Sequence, residues 1–405
     1  MKYSRLMFAS AAFMVTQAAL AQSSVTLYGV IDYGLNFVNN AQTAVPGGRT
    51  GRQQYTMSSS IMQGNRWGLR GAEDLGGGYK AIFVLESGFD VGTGNFQQGG
   101  DLFGRQAYVG ISSPYGTITL GRQYDSVVDF IGPLTGAVGN GTYSLHGNDI
   151  NNFGNTYRVN NAVKFTTNTY GGFKASGLYS FGGVAGSFGT NSVFSFGGSY
   201  GFGGLTAAAA FLKARDPNRS FWGNNVNSSA TASNLGSISG VQVNPVYGGF
   251  ASASSYEVAG AAVQYAFSSA TVGANYSHIS FRDMNDPASG NLALTNPRHY
   301  TGNASFNSYS GFVRYALTPF LWLNGSYDYL VGGAINGKES ATYHTFNAAV
   351  DYFLSKRTDV YFMANYQIAS GVDSTGQHAV ASFLTITPSN TSRQVVLRVG
   401  MRHLF

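Results

Sequence analysis

Three groups of residues in this chain have types and spacings that chemistry can use. Gly197-Gly198-Ser199-Tyr200-Gly201 matches the G-x-S-x-G pattern of a serine nucleophile, which needs a strand, a sharp turn and a following helix to lift the hydroxyl clear. Ser199 instead lies inside an alternating stretch (Phe194, Phe196, Tyr200) of a chain with 55 glycines, so chance explains the match better. The six histidines (146, 278, 299, 344, 378, 403) form the second group. None is placed to serve Ser199, and their scatter gives no metal-ligand spacing. With no cysteine, disulfides, thiolate metal sites and a thiol nucleophile are excluded. No cofactor and no metal is called for. The third group is a set of cations in a chain where Asp, Glu, Lys and Arg make up only 10%. Their chemistry is electrostatic, and it depends on which way each side chain points.

The elements that point them are strands. From Val25 the chain alternates: Val25, Leu27, Gly29, Ile31, Tyr33 and Leu35 share one face, while Thr26, Tyr28, Asp32 and Asn36 share the other. The pattern recurs to the end in roughly sixteen segments of about ten residues, the length a tilted strand needs to cross a bilayer. Short links such as Gly76-Gly77-Gly78, Pro114-Tyr115, Gly203-Gly204 and Thr318-Pro319 alternate with long polar ones, the longest running from Asp216 to Ser255. Low charge without greasiness, with aromatics on the outward face, fits lipid outside and water inside. A soluble β-sandwich would alternate too, but with charge on its outer face. Because lipid offers no partner to an edge strand, the sheet must close. The expected fold is therefore an all-β transmembrane antiparallel barrel, one domain over residues 22–405.

Parity then assigns the cations. Trp67 and Leu69 point to lipid, so Arg66 and Arg70 point inward. Val159, Val163 and Phe165 point out, so Arg158 and Lys164 point in. For Arg105 parity is silent, because Phe103, Arg105, Ala107 and Val109 share a face that suits either side. Arg122 shares parity with Ile118 and Leu120 and leaves the lumen side.

Between Gly121 and Arg158 the alternation stops for more than thirty residues. Loops beyond about 12–15 residues inside a compact fold are usually functional or disordered. Val127, Val128, Phe130, Ile131 and Leu134 need burial, so this loop is expected to fold inward and narrow the lumen. At the N-terminus, Lys2 and Arg5 precede an apolar run from Leu6 to Val15, and Ala19-Leu20-Ala21 fits a signal cleavage site. Residues 1–21 read as a signal peptide, whose loss lowers the formal charge from +6 by two, to +4. That apolar run is shorter than the ~20 residues of a membrane-spanning helix.

The runs "SSVTLYGVIDYGL", "NRWGLRGAEDLGGGYKAIFVLESGF", "FGRQAYVGISSPYGTITLGRQYD" and "LRVGMRHLF" resemble the general diffusion porins of Gram-negative outer membranes, of the type found in Neisseria and Burkholderia relatives. The resemblance implies a sixteen-stranded homotrimeric barrel whose third extracellular loop enters the lumen. It also implies that Arg66, Arg105 and Arg158 belong to an arginine ladder facing that loop, with Arg70 and Lys164 on the same basic wall. The loop residues at the constriction are then Asp129, Phe130, Ile131, Gly132, Pro133 and Leu134. Glu86 is expected to be an anchor behind the loop. Arg122 is expected at the subunit contact, with Asp90 or Asp101 as its partner on a latch loop from Gly88 to Asp101. Terminal Phe405 resembles the signal read by the barrel-assembly machinery. Outer-membrane lipid and lipopolysaccharide are the expected surroundings, and small hydrophilic solutes and anions the expected cargo.

One departure from the family pattern matters most. Between Asp129 and Asp149 the loop has no acid, where many relatives carry carboxylates opposite the arginines. A field dominated by cations favours anions, and Asp129 is left to bond loop backbone. A channel preferring organic acids would look alike. An adhesin or receptor acting through the loops Ala41 to Gln63 and Asp216 to Ser255 is the other reading. A nucleic-acid role is poor, since the adjacent basic pair of the mature wall, Lys356-Arg357, sits in a turn.

Overall fold

The fold was obtained as a computed structural model, and it describes residues 24–46, 48–220, 222–223, 234–235, 244–285, 300–335 and 339–405. The signal-peptide reading of residues 1–21 lies outside the described residues. Strands run β1 Ser24–Val45, β2 Gly48–Ser59, β3 Arg66–Gly76, β4 Tyr79–Gly88, β5 Gln106–Ser113, β6 Gly116–Gln123, β7 Val159–Thr167, β8 Phe173–Ser180 and β9 Val193–Phe202. They continue with β10 Leu205–Arg215, β11 Ser255–Ala266, β12 Ala270–Met284, β13 Gly302–Thr318, β14 Leu321–Gly332, β15 Thr342–Phe353, β16 Thr358–Ser370 and β17 Arg393–Leu404.

β1 pairs antiparallel with both β2 and β3, each strand from β3 to β16 pairs antiparallel with the next, and β17 returns to β1, with Val30 opposite Leu404 and Val38 opposite Val396. The sheet is closed, and no edge is left for lipid to meet. Seventeen segments make sixteen places in the wall, because β2 and β3 both lie along β1. Tyr33 faces Ser59 and Val30 faces Arg66, so the residues between Ser59 and Arg66 have almost no β1 to pair with. They turn inward instead. Asp32 holds the turn by accepting from the amides of Met62 (2.6 Å) and Gln63 (3.1 Å). Ala41 to Gln63, expected to be a long surface loop, is therefore a β1–β2 hairpin followed by this inward turn.

The alternation of sequence becomes two faces. Val25, Leu27 and Leu35 are exposed, whereas Asp32 and Asn36 on the opposite parity are fully buried. Along the short turns, Tyr115, Phe202, Phe267 and Phe320 stand exposed, a ring suited to one membrane interface. At the closure Phe405 extends the ladder past β17, exchanging backbone hydrogen bonds with Gly29 (3.0 and 3.1 Å). Its ring covers Gly29, where a Cβ would stand 2.2 Å from Phe405 Cζ and 2.7 Å from the Arg66 carbonyl. Gly29→Val is therefore expected to push the terminal ring off the seam, at about 1–3 kcal/mol for overpacking. A fall in the fraction migrating as folded barrel on an unboiled gel checks this, and an unchanged fraction would refute it.

Candidate functional site: a basic gap inside the barrel

The connection between β6 and β7 crosses the lumen. Its first helix, α1 (Ser126–Phe130), starts at Asp125, whose side chain accepts from the amides of Val127 (2.8 Å) and Val128 (3.1 Å). Burial pushes Asp125 up to about 6. A second short helix, α2 (Ala137–Asn140), approaches β14, and a Cβ on Gly139 would meet Asn324 Oδ1 at 2.4 Å. Beyond it the chain reaches the far wall: the Thr142 amide donates to the Ile61 carbonyl (2.8 Å), and Tyr143 Oη donates to Asn36 Oδ1 (3.0 Å). Asp149 ties the return, accepting from the amides of Gly154 (2.8 Å) and Thr156 (2.9 Å). Burial raises it as well, to about 6.

The apolar residues of the loop fill one side of the barrel. Val127, Phe130, Ile131 and Leu134 join a core with Leu178, Val193, Leu212, Tyr256, Val258 and Phe281 of the wall. Phe130, Ile131 and Leu134 thus point away from the open passage, contrary to their expected place at the constriction. Of the six expected loop residues, Gly132 lines the passage. Other loop residues on that face include Thr135, Val138, Thr142 and the run Phe153–Thr156.

What stays open is a gap of about 550 Å³ between the loop and the inner faces near β1–β5 and β17. Four arginines line it, Arg66, Arg105, Arg158 and Arg402, and no Asp or Glu does among the described residues. Arg105 Nε sits 2.7 Å from Glu86 Oε1, and Glu86 also accepts from Tyr28 Oη and Tyr124 Oη, both at 2.9 Å. Glu86 therefore holds the first residue of the loop through Tyr124, but it chiefly neutralises one arginine. Arg402 Nε lies 2.9 Å from Asp359 and its Nη2 3.4 Å from Asp351. Arg66 and Arg158 form no ion pair among the described residues. Arg158 donates to the Thr156 carbonyl (3.1 Å), and its buried Nε has no acceptor. Burial and then the Arg105 charge push Arg158 down to about 9, which leaves it cationic at neutral pH.

Several expected placements change. Lys164 is tied up: its Nζ contacts the Asp129 carboxylate and donates to the Tyr124 carbonyl (2.9 Å), under the loop and away from the gap. Asp129 thus spends its charge on Lys164 rather than on loop backbone. Arg70 faces inward but lies below the gap, 5.2 Å over the Tyr28 ring. Arg158 reaches the gap for a different reason than parity. A bulge in the β6–β7 ladder, with Asn161 at φ +50°, turns Val159 into the core, where it is fully buried. Arg105 escapes parity because the β4–β5 ladder begins only at Gln106, opposite Glu86. Arg122 does leave the lumen side, but it is covered by its own chain. Its Nε donates to the Gly104 carbonyl (2.8 Å), Nη1 to that of Gly223 (2.9 Å), and Asp101 lies 3.9 Å away. Asp90 is not brought to it and instead accepts from Thr93 in a local turn. The Gly88 to Asp101 loop folds back on its own chain, where the Val91 amide donates to Ser59 Oγ (2.8 Å), and Gln97 and Gln98 reach the gap. Ser199 sits within the regular β9 ladder, opposite Lys174 and Ala208, with no elbow.

A closed barrel with lipid-facing aromatics, a polar interior and a loop crossing the lumen defines a transmembrane channel of the outer-membrane type. The family model for Gram-negative porins matches residues 8–371, and the chain belongs to that family. It is 38% identical over 175 residues to an outer membrane porin protein of Bordetella pertussis, covering 40% of this chain and 44% of the relative. It is 34% identical over 190 residues to outer membrane porin protein 32 of Delftia acidovorans, covering 43% and 49%. The chain thus spans about half the length of the curated relatives it matches. Among solved structures, an anion-selective porin from Comamonas acidovorans superposes with a TM-score of 0.67 at 20% identity, covering 95% of this chain and 100% of that one. The trimer form of OmpT from Vibrio cholerae gives 0.62 at 14% identity, over 95% and 99%. At these identities the likeness shows the fold alone. The protein is an outer-membrane β-barrel.

Proposed function

We propose that the protein is a passive diffusion channel for small hydrophilic solutes and ions, with a preference for anions, and not an enzyme. The observation that carries this reading is the gap itself: among the described residues its lining holds four arginines and no carboxylate, and two of those arginines, Arg66 and Arg158, are in no ion pair. Such a constriction lowers the energy of a permeating anion and raises that of a cation. Protein reconstituted into a planar bilayer should give stepwise, ohmic conductance with a reversal potential on the chloride side under a KCl gradient. A pore clearly cation-selective at low salt would overturn the reading. Ser199→Ala should leave conductance unchanged, whereas a hydrolytic activity abolished by it would restore the enzyme alternative.

The protein works as a homotrimer in the same reading. Support comes from the apolar surface on β1, β5, β6 and β17, where Val25, Leu27, Val109, Leu120 and Val399 are exposed, and from the trimer form of a structural neighbour. Arg122 and Asp101, paired at the outer edge of this region, are then groups a neighbouring subunit would meet. Gel mobility before and after boiling tests it, and monomer mass in both lanes in mild detergent would count against it. Phe405, on the outward face of the last strand, is the group offered to the assembly machinery.

A further inference from the structure

We propose that Trp222, in the connection between β10 and β11, is a positioning residue for channel selectivity: it sets where the Arg158 guanidinium stands in the gap. The inference rests on the anion-channel reading and adds to it a residue that does not line the passage.

Arg158 does not hold its own place. Among the described residues its side chain makes one hydrogen bond, to the Thr156 carbonyl two positions away, and no ion pair. A partner so close in sequence moves with the arginine. The β7 ladder adds little, since it begins only at Val159 and its pairing with β6 shifts between Gly121 and Gln123. The guanidinium is therefore placed by the backbone at 157–159, and that backbone is held from outside the crossing loop.

The Gly223 amide donates to the Arg158 carbonyl (2.7 Å), and Val159 forms an isolated antiparallel bridge with Trp222. The Trp222 ring is fully buried. It stacks on Tyr157, with centroids 4.0 Å apart and 27° between planes, and lies against Tyr256 of β11 at 4.6 Å. Each residue from 157 to 159 thus meets Trp222 or Gly223. Tyr157 is tied once more to the same connection, where its Oη donates to the Asn234 carbonyl (3.1 Å). Gly223 makes the close approach possible: its φ is +95°, and a Cβ there would stand 2.3 Å from Asn234 Oδ1 and 3.2 Å from Tyr157 Cδ1. Its carbonyl accepts from Arg122 Nη1 (2.9 Å), which anchors the clamp on β6 as well. A segment that reads in sequence as free surface loop therefore grips the end of the crossing loop, with the wall at Tyr256 as backing.

Coulomb interaction falls with distance, so an arginine that drifts from about 4 Å to about 8 Å from a passing ion keeps about half its effect. Under a dilute KCl gradient, Trp222→Ala should remove about half of the chloride preference that Arg158→Gln removes. Trp222→Phe keeps a stacked ring and loses an N–H that has no partner, and it should restore the wild-type reversal potential. In an Arg158→Gln background Trp222→Ala should add nothing. Gly223→Ala displaces the amide bound to Arg158 while leaving the indole in place, and it should lower the preference in the same direction; it carries the test if Trp222→Ala gives no folded barrel. A folded pore of either alanine variant with the wild-type reversal potential would overturn the inference. So would an undiminished Trp222→Ala shift in the Arg158→Gln background, since the ring would then act through something else. Both results leave the channel reading standing, because wild type still prefers chloride and Arg158→Gln still weakens that preference. A wild-type pore with no chloride preference sinks both.

Discussion

Replacing Arg66 and Arg158 by glutamate is expected to move the reversal potential of the channel from the chloride side to the potassium side of a KCl gradient. These two arginines carry the effect because the other two that line the gap already have carboxylates behind them, Glu86 for Arg105 and Asp351 with Asp359 for Arg402. Two unit charges at 4 Å interact by about 1 kcal/mol in bulk water and about 4 kcal/mol at an effective dielectric of 20. An anion passing Arg66 and Arg158 should therefore be favoured over a cation by at least ~1.4 kcal/mol, about tenfold. Screening sets the conditions: the Debye length is about 30 Å at 0.01 M and about 3 Å at 1 M, so the preference should be large in dilute salt and shrink in concentrated salt. The pair Asp129→Asn with Lys164→Gln removes a charge couple that already cancels. It should shift the reversal potential little, as should Arg314→Glu, since Arg314 lies on another part of the wall and is held to Gln264 (2.9 Å). Equal shifts from all three changes would mean that the field is not local to the gap.

The second large effect is structural. Arg398 on β17 is fully buried and donates to Tyr361 Oη (2.8 Å), Asn36 Oδ1 (2.9 Å), Ser58 Oγ (2.9 Å) and the carbonyls of Ser58 (3.0 Å) and Gly34 (3.3 Å), with the Asp32 carboxylate 3.5 Å away. Asp32 in turn holds the inward turn at Met62 and Gln63, and Asn36 holds the loop through Tyr143. One guanidinium thus joins the barrel seam, the inward turn and the crossing loop. Arg398→Met should cost about 3–5 kcal/mol, because it leaves the Asp32 carboxylate buried without its cation. The temperature at which the folded band is lost on a gel should fall accordingly. Adding Asp32→Asn should recover part of the loss, since the stranded charge is then gone. An unchanged transition for the single variant would show that the network contributes nothing to holding the seam.

Much of this was legible in the sequence because a barrel wall obeys a period of two. The inward faces of Arg66, Arg70 and Lys164, the outward face of Val399 and Phe405, and the short turns all follow from alternation. The failures fall where that period breaks. Val159 reverses at the Asn161 bulge, Arg105 precedes its ladder, and the turn at Ser59–Arg66 reads as surface loop because its lack of a β1 partner is a fact of register. Arg402 shares the inward parity of Arg398, yet nothing in one strand says that it meets Arg66 across the closure. The pairing of Lys164 with Asp129 is likewise hidden, since it joins residues 35 positions apart through a segment without periodicity.

The apolar filling between the loop and β8–β14 has a consequence for timing. With that side of the lumen occupied by Ile131, Tyr256, Phe281 and their neighbours, the open passage runs along the side where the two ends of the chain meet. The strand that closes the cylinder, β17, is also the strand that brings Arg402 to the passage. Barrel closure and channel completion are therefore one event, and an intermediate still open between β1 and β17 lacks a finished, charge-lined aperture.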